Sequence, residues 1–144
     1  SRLADPALRL VLIGDRPAVF DRSAFPADPR VIFAGRRSDA EIAALLGGAQ
    51  ALVFPSLYEG FGIPPLEAMT LGCPVIASDI PATREVCADD ALYFAPADDA
   101  ALAAHMAELL SRPDVARRDA GLRRADRYAW SRSAEIIEDL LLST

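Results

Sequence analysis

Residues 55–72 read PSLYEGFGIPPLEAMTLG, a predicted loop and helix that lie between two predicted strands. An apolar strand is predicted directly before it, over residues 51–54, and a glycine-bearing loop follows. A short helix then begins at Pro64 and Pro65 and ends at Gly72, because proline suits the first helical turn and glycine suits the left-handed position after a helix. The loop therefore leads into a helix N-terminus, where free backbone N–H groups and the positive end of the helix dipole favour phosphate.

Two carboxylates flank this helix end, since Glu59 lies in the loop and Glu67 lies about one turn inside the helix. Because they lie on different elements, we do not expect them to share a proton. Gly60 and Gly62 let the backbone approach a ligand closely. The amides between the two acids belong to Phe61, Gly62 and Ile63. This arrangement fits a nucleotide sugar, with a sugar hydroxyl near Glu59, phosphates at the amides and a ribose near Glu67.

The same residues also have purely structural explanations, and the residues alone leave the choice open. The two prolines are ordinary at a helix start, Glu67 complements the helix dipole, and Phe61 suits a buried position in a tight turn. The glycines do not form the dinucleotide-binding fingerprint, because Pro65 occupies the position of its third glycine, and a Walker A motif is absent from the sequence.

Composition excludes several classes of function. The chain has 144 residues, enough for one domain with a sizeable core, and we assign residues 1–144 to a single domain. Its net charge of -6 argues against nucleic acid as a partner. All 15 basic residues are Arg, so the chain contains no lysine for a Schiff base or a P-loop contact. Cys73 and Cys87 do not form a metal-ligand pattern and are predicted to be buried, reduced thiols.

Short apolar strands alternate with helices along the chain. Strands are predicted at residues 8–13, 31–34, 51–54, 74–77 and 91–94. Helices are predicted at residues 38–48, 64–72, 81–87, 98–110, 113–128 and 131–141, and a loop at residues 16–30. Such alternation is typical of an α/β fold with a Rossmann-like parallel sheet covered by helices on both faces. Ligands of such sheets bind beyond the carboxyl ends of the strands, where the loop after residue 54 lies.

The motif residues closely resemble one family. Residues 55–78 carry Pro-Ser, then Glu-Gly-Phe-Gly-Ile-Pro-Pro-Leu-Glu-Ala-Met, then Gly-Cys-Pro-Val-Ile-Ala-Ser. This series resembles the donor-binding half of the retaining glycosyltransferases with the GT-B fold, the family marked by two Glu separated by seven residues. Residues 31–35, 85–86, 93–96 and 128–130 also look like that family, in the expected order. The resemblance implies that the chain is a fragment, the C-terminal nucleotide-sugar-binding domain of a longer transferase.

The resemblance also implies roles for individual residues. Glu59 resembles the catalytic Glu that contacts the donor sugar, and Glu67 resembles the Glu that binds the ribose hydroxyls. The other donor-binding residues that it implies are Ser56, Gly60, Phe61, Gly62, Ile63, Gly35, Arg36 and Arg37. The implied reaction transfers a hexose, with mannose favoured, from a nucleotide-diphospho-sugar of the GDP-mannose or UDP-hexose type with retention of configuration. Neither an obligatory metal nor a cofactor is implied.

The chain departs from the family pattern in three respects. The family's donor domain begins one strand–helix unit earlier, and that unit, with the Arg and Lys that bind the diphosphate, is missing here. The N-terminal acceptor domain is missing as well, and Arg37 stands where an apolar residue is usual. We therefore expect this chain alone to bind donor weakly and to be inactive.

The biological setting follows from the same resemblance. It implies transfer to a sugar or lipid-linked acceptor in bacterial surface polysaccharide synthesis, in the cytoplasm or at the inner face of the membrane. No apolar run in the sequence approaches the roughly 18 residues that span a bilayer, so a peripheral membrane contact would come from the missing domain. Two alternatives stay open: a nucleotide-sugar epimerase of the same fold, and a non-catalytic nucleotide-binding regulatory module.

Residues outside the motif are given structural positions. Trp130 is predicted to pack in the core and His105 to lie at the surface or rim. Arg84, near a strand end, is a further candidate for a phosphate contact. A solvated helix face is predicted for the basic run of Arg117, Arg118, Arg123, Arg124 and Arg127.

Overall fold

The structure, a computed structural model, describes residues 5–14 and 28–143. Its strands are β1 (Leu10–Ile13), β2 (Val31–Gly35), β3 (Leu52–Phe54), β4 (Val75–Ser78) and β5 (Leu92–Phe94). Its helices are α1 (Asp39–Gly48), α2 (Ile63–Thr70), α3 (Pro81–Cys87), α4 (Asp99–Ser111), α5 (Val115–Ala125) and α6 (Trp130–Leu142). All strand pairs in the described chain are parallel, as predicted. The predicted loop over residues 16–30 lies outside the described residues except at its last three positions.

The chain divides into two units, residues 1–42 and residues 43–144. In the first unit, β1 pairs with β2 from Leu10 opposite Val31 to Ile13 opposite Gly35. The Gly14 N–H extends this pairing by donating to the Gly35 carbonyl at 3.0 Å. The assignment of residues 1–144 to a single domain stays a prediction.

Ser38 caps the start of α1. The amide of Ser38 donates to Oε2 of Glu41 at 2.9 Å, and the Ser38 hydroxyl donates to the same oxygen at 2.8 Å. The Glu41 amide returns a hydrogen bond to the Ser38 hydroxyl at 3.4 Å. This reciprocal capping box makes Ser38 the residue that caps the helix, and its hydrogen bonds lower the pKa of Glu41.

The second unit contains the sheet β3-β4-β5, with β4 in the centre. All four residues of β4 are buried, so both faces of this strand are covered, as expected for a parallel sheet. On one face, Ile76 packs with Phe94 of β5 and Leu109 of α4. The neighbouring Val75 and Ala77 point to the other face because side chains alternate along a strand. Helix α2 packs against β3, β4 and α5. The predicted α/β architecture with covered faces is therefore confirmed in this unit.

Most predicted helix ends agree with the structure, but α5 begins later than expected. The prediction that Pro113 opens this helix is wrong, because Asp114 caps it by accepting a hydrogen bond from the Arg117 amide at 2.9 Å. The helix also ends at Ala125, and the chain continues as a 3-10 turn over Asp126–Tyr128. Asp98 caps α4 in the same way, by accepting from the Ala101 amide at 2.9 Å.

Two structural expectations from the sequence are wrong in whole or in part. Trp130 is 86% exposed at the start of α6, where the apolar residues of the helix, such as Leu141 at 72%, also face solvent in the described chain. The basic run is not uniformly solvated either. Arg124 forms a half-buried ion pair with Asp90 at 3.0 Å, and Arg117 pairs with Asp114 at 3.1 Å.

Each helix in the described part of the chain is too short or too polar to cross a bilayer.

Candidate functional site

The candidate site is the loop of residues 55–62, which connects the carboxyl end of β3 to the N-terminus of α2 and is called the donor loop after its predicted role. Parallel α/β sheets bind ligands at this edge. The loop contains residues in three chemical roles: a hydrogen-bonded carboxylate, a set of backbone amides and an aromatic ring.

The carboxylate of the loop is held by a neighbouring hydroxyl. Ser56 Oγ donates to Oε1 of Glu59 at 2.6 Å, and both residues are half-buried. A bond this short is typical of a hydroxyl that donates to an ionised carboxylate. Within the described chain, the second oxygen of Glu59, Oε2, receives no hydrogen bond. It is therefore open to a ligand hydroxyl.

Gly62 forms the turn from the loop into α2. It is the residue before the helix and adopts φ +107°, a left-handed conformation that L side chains rarely adopt. A Cβ added here would lie 3.7 Å from Cγ2 of Val86 and 3.8 Å from the carbonyl oxygen of Ala82, which places this turn against α3. The backbone conformation thus requires glycine at position 62, whereas the surrounding space would admit a methyl group.

The N–H groups at this turn lack hydrogen-bond acceptors in the described chain, and Gly62 is itself buried. The amides of Phe61, Gly62 and Ile63 donate no hydrogen bond to any described residue. The next two residues are prolines, which lack an N–H and leave no further donors in the first part of α2. This helix end therefore presents three consecutive amides without partners in the described chain, at the positions predicted from the sequence.

Glu67 lies on α2, one turn after Ile63, and its side chain is exposed. Its carboxylate forms no hydrogen bond or ion pair with residues 5–14 or 28–143. No hydrogen bond joins Glu59 to Glu67 in the described chain, in keeping with two acids on separate elements. The structure therefore presents two carboxylates with different surroundings, one held by a hydroxyl and one open to solvent.

Phe61, between the two acids, is 40% exposed, so the explanation that it is buried in a tight turn is wrong. Its ring lies 5.8 Å from that of Tyr128, centroid to centroid, at 77° in an edge-to-face arrangement. The Tyr128 hydroxyl donates to the carbonyl oxygen of Glu85 at 3.0 Å. Sequence reasoning missed this contact, because 67 positions separate the two rings and no local pattern pairs them.

Arg84, a candidate for a phosphate contact, is engaged by other groups. Its Nε and Nη2 donate to the two carboxylate oxygens of Asp79 at 2.7 and 2.8 Å, which lowers the pKa of Asp79. Its guanidinium also lies 3.7 Å above the ring of Tyr93, whose pKa is raised by burial. The Tyr93 hydroxyl in turn donates to the carbonyl of Ala88 at 2.6 Å and lies 3.2 Å from that of Thr83. These contacts fix α3 beside the donor loop.

Three predicted site residues, Gly35, Arg36 and Arg37, lie in the first unit. Gly35 adopts φ +69° at the end of β2. Arg37 Nη1 lies 3.7 Å from Oε1 of Glu41. The two units are described separately, so a contribution of these residues to the donor site stays a prediction.

The remaining chemically reactive side chains do not join the loop in a cluster. His105 is half-buried on α4, and its Nε2 lies 3.0 Å from the carbonyl oxygen of Tyr93. Cys73 and Cys87 are buried free thiols, as predicted, and burial raises the pKa of each to about 11. Groups of three or more potential metal ligands do not occur among the described residues, and the expectation that no metal is obligatory stays a prediction.

Comparison with known proteins gives consistent matches. The family model for glycosyl transferases group 1 matches residues 1–112. The O-antigen chain mannosyltransferase RfbU of Salmonella typhimurium is 43% identical over 86 residues, which cover 60% of this chain and 24% of that protein. A GDP-mannose-dependent alpha-(1-6)-phosphatidylinositol dimannoside mannosyltransferase of Mycobacterium tuberculosis is 34% identical over 131 residues, covering 88% of this chain and 33% of that protein.

A solved structure supports the fold. Sucrose-phosphate synthase from Thermosynechococcus elongatus matches with a TM-score of 0.78 and 26% identity over 94% of this chain and 39% of that one. The chain spans about a quarter to a third of the length of the curated relatives described above. Because the family model covers more than half of the sequence, the chain belongs to the group 1 glycosyltransferases.

Proposed function

We propose that this chain is the donor-binding part of a longer retaining mannosyltransferase. In this proposal the donor loop and α2 bind a nucleotide-diphospho-mannose, and the other part of the enzyme binds the acceptor. The chain by itself binds donor weakly and does not turn over. The acceptor is a sugar or a lipid-linked sugar of a bacterial surface polysaccharide, and the enzyme works in the cytoplasm or at the inner face of the membrane.

The observation that carries the proposal is the hydrogen bond from Ser56 to Glu59. It holds one carboxylate in the loop directly before the free amides of Phe61, Gly62 and Ile63. Carboxylates accept hydrogen bonds from sugar hydroxyls and repel phosphates, whereas helix-end amides attract phosphates. A carboxylate followed by amides therefore suits a sugar that is joined to a diphosphate.

The second carboxylate suits the nucleoside end of the same ligand. Glu67 is exposed and lies one turn beyond the amides, about 6 Å along the helix axis. From there it accepts hydrogen bonds from the two ribose hydroxyls. The donor then extends along the loop with its sugar at Glu59, its diphosphate at the amides and its ribose at Glu67.

In the mechanism we propose, the chain positions the donor and stabilises charge. The amides of residues 61–63 stabilise the negative charge that grows on the diphosphate as the bond to the anomeric carbon breaks. Glu59 orients the sugar through its open oxygen, and the leaving phosphate accepts the proton of the acceptor hydroxyl. Attack from the side of the leaving group gives retention of configuration. The chemistry needs no metal in this proposal, and the cationic partners of the diphosphate come from outside this chain.

A GDP-mannose donor is favoured by the relatives. The mycobacterial relative is named as GDP-mannose-dependent, and the Salmonella relative is named as a mannosyltransferase. The residues that would read the base, Gly35 to Arg37, lie in the first unit and do not by themselves identify guanine. The choice of GDP over UDP is therefore the part of the proposal that the relatives support.

The test follows slow transfer from donor to water by the full-length gene product, with GDP-mannose and UDP-glucose as separate substrates. We expect release of GDP from GDP-mannose, and proton NMR recorded before mutarotation should show α-mannose as the first product. Glu59→Gln should reduce this release, and Glu138→Gln, the same change on an exposed acid of α6, should not. Initial formation of β-mannose would contradict retention, and no cleavage of either donor would contradict the donor-site proposal.

A further inference from the structure

We propose that Tyr128 is a positioning residue of the donor site, which sets the place of Phe61 and of the amides that follow it. This inference rests on the proposed function, since it assigns a role within the same donor site. Tyr128 itself touches neither of the two carboxylates in the described contacts. Its influence on the donor passes through the ring of Phe61.

Tyr128 holds Phe61 from one side. The two rings meet edge to face with centroids 5.8 Å apart, a geometry that aromatic pairs favour. Phe61 lies directly before Gly62 and two positions before Ile63, so displacement of its ring shifts the three free amides. Phe61 is 40% exposed, and the ring of Tyr128 is its aromatic contact in the described chain. The Tyr128 contact therefore restrains this part of the loop.

Tyr128 is in turn fixed by α3. Its hydroxyl donates to the backbone carbonyl of Glu85 at 3.0 Å. The same helix lies against the left-handed turn at Gly62, through Val86 and the carbonyl of Ala82. Tyr128 thus connects α3 to Phe61, while α3 itself lies next to Gly62.

Helix α3 is held by hydrogen bonds near both of its ends. The Thr83 hydroxyl donates to the carbonyl oxygen of Ser78 at the end of β4 at 2.6 Å, and both residues are fully buried. The Tyr93 hydroxyl donates to the carbonyl of Ala88 at the other end of α3 at 2.6 Å. Helix α3 is therefore tied to the central strand β4. The ring of Tyr128, from the 3-10 turn after α5, connects this helix to Phe61 and so positions the amides that follow.

This arrangement predicts an effect on donor binding that is separate from an effect on folding. The loop tip supplies amides to the diphosphate, so loss of the Tyr128 ring should raise the KM for the nucleotide sugar. The acceptor binds elsewhere and its KM should not change. A purely structural role would instead lower the thermal midpoint and the fraction of active enzyme, which reduces apparent kcat and leaves the donor KM unchanged.

The test is a double-mutant cycle in the full-length transferase, with GDP-mannose and UDP-glucose as donors and release of nucleotide as the readout. Tyr128→Leu and Phe61→Leu should each raise the donor KM about fivefold, from the typical strength of an aromatic pair. The donor KM of the double variant should also rise about fivefold. Two independent residues would instead raise it by the product of the single effects, about 25-fold. Tyr128→Phe, which keeps the ring and loses only the hydrogen bond to Glu85, should raise the donor KM less than Tyr128→Leu does.

Arg127→Ala is the matched control, because Arg127 is the exposed neighbour of Tyr128 and forms no ion pair among the described residues. It should leave the donor KM unchanged. An unchanged donor KM in Tyr128→Leu, or an effect equal to that of Arg127→Ala, would overturn the inference and leave the proposed function standing. A wild-type enzyme that cleaves neither donor would overturn both.

Discussion

The hydroxyl of Ser56 donates a hydrogen bond to Oε1 of Glu59 at 2.6 Å. The two residues lie three positions apart along the chain, so the bond closes the first part of the donor loop on itself. It fixes the direction in which the second carboxylate oxygen points. In the proposed function that oxygen orients the donor sugar, so Ser56 is expected to affect turnover without contact with the nucleotide.

The variant Ser56→Ala tests this relationship. A hydrogen bond to a charged group contributes about 1.5–3 kcal/mol, so we expect kcat of the full-length transferase to fall by at least about tenfold. The dissociation constant for GDP should stay within about twofold, since the nucleotide binds at the other end of the site. Ser131→Ala, on the exposed face of α6, is the control. Unaltered turnover in Ser56→Ala would show that the bond does not orient Glu59 for catalysis.

Glu67→Gln should separate nucleotide binding from folding. Because the carboxylate is exposed and unpaired among the described residues, we expect the free energy of unfolding to change by less than about 0.5 kcal/mol. The affinity for GDP should fall by about tenfold or more, because a neutral amide accepts weaker hydrogen bonds from the ribose. Isothermal titration calorimetry with GDP measures the second effect. Glu138→Gln removes the same charge from α6 and should leave the affinity unaltered.

Gly62→Ala and Gly47→Ala should have opposite effects on stability. Gly62 adopts φ +107°, where a side chain is strained, so the first variant should lose about 1–3 kcal/mol of unfolding free energy. Gly47 lies in α1, without a left-handed φ and with nothing within 4 Å of an added Cβ, so the second should gain about 0.5–1 kcal/mol. Urea unfolding measures both. Equal stability of the two variants would contradict the conformation described at Gly62.

The position of the donor loop was predictable because the prolines and glycines that begin and end the adjacent helix lie next to it in the sequence. Two prolines and two glycines mark both ends of α2, and Pro81 marks the start of α3, so these bounds are visible in the sequence. The parallel sheet followed from short apolar strands that alternate with helices. The strand and helix order in turn identified the edge at which the loop lies.

The contacts between distant segments were not predictable in the same way. Phe61 and Tyr128 are far apart in sequence, and so are Asp90 and Arg124, which form an ion pair at 3.0 Å. The prediction that Trp130 packs in the core is wrong. An aromatic residue in an amphipathic helix usually packs inside, whereas α6 presents this face to solvent in the described chain. The roles of the site residues depend on a ligand and stay proposals.

The two thiols predict a loss of stability at alkaline pH. Burial raises the pKa of Cys73 and Cys87 to about 11, above the value of about 8.5 in an unfolded chain. A raised pKa means that folding favours the protonated form, so the stabilisation is complete below about pH 8.5 and is lost as the pH rises towards about 11. The burial of Tyr93 acts in the same direction at higher pH.

Urea unfolding at a series of pH values measures this loss, and a thiol reagent at pH 8 gives an independent check. Only about one thiol in a thousand is ionised there in the folded chain, so both should react slowly until urea unfolds the protein. The variant with Cys73→Ala and Cys87→Ala together should show a flatter pH dependence between about pH 8.5 and 11. Rapid modification of either thiol in the folded protein would contradict its burial.

We propose that the donor loop and α2 bind a nucleotide through the amides of Phe61, Gly62 and Ile63. NMR titration of the isotopically labelled chain with GDP, UDP and ADP at millimolar concentration tests this binding at the amides themselves. We expect GDP to shift the amide resonances of these three residues and of Glu67, weakly and in fast exchange, and Glu67→Gln to reduce the shifts. Absence of shifts at these amides with all three nucleotides would contradict this proposal.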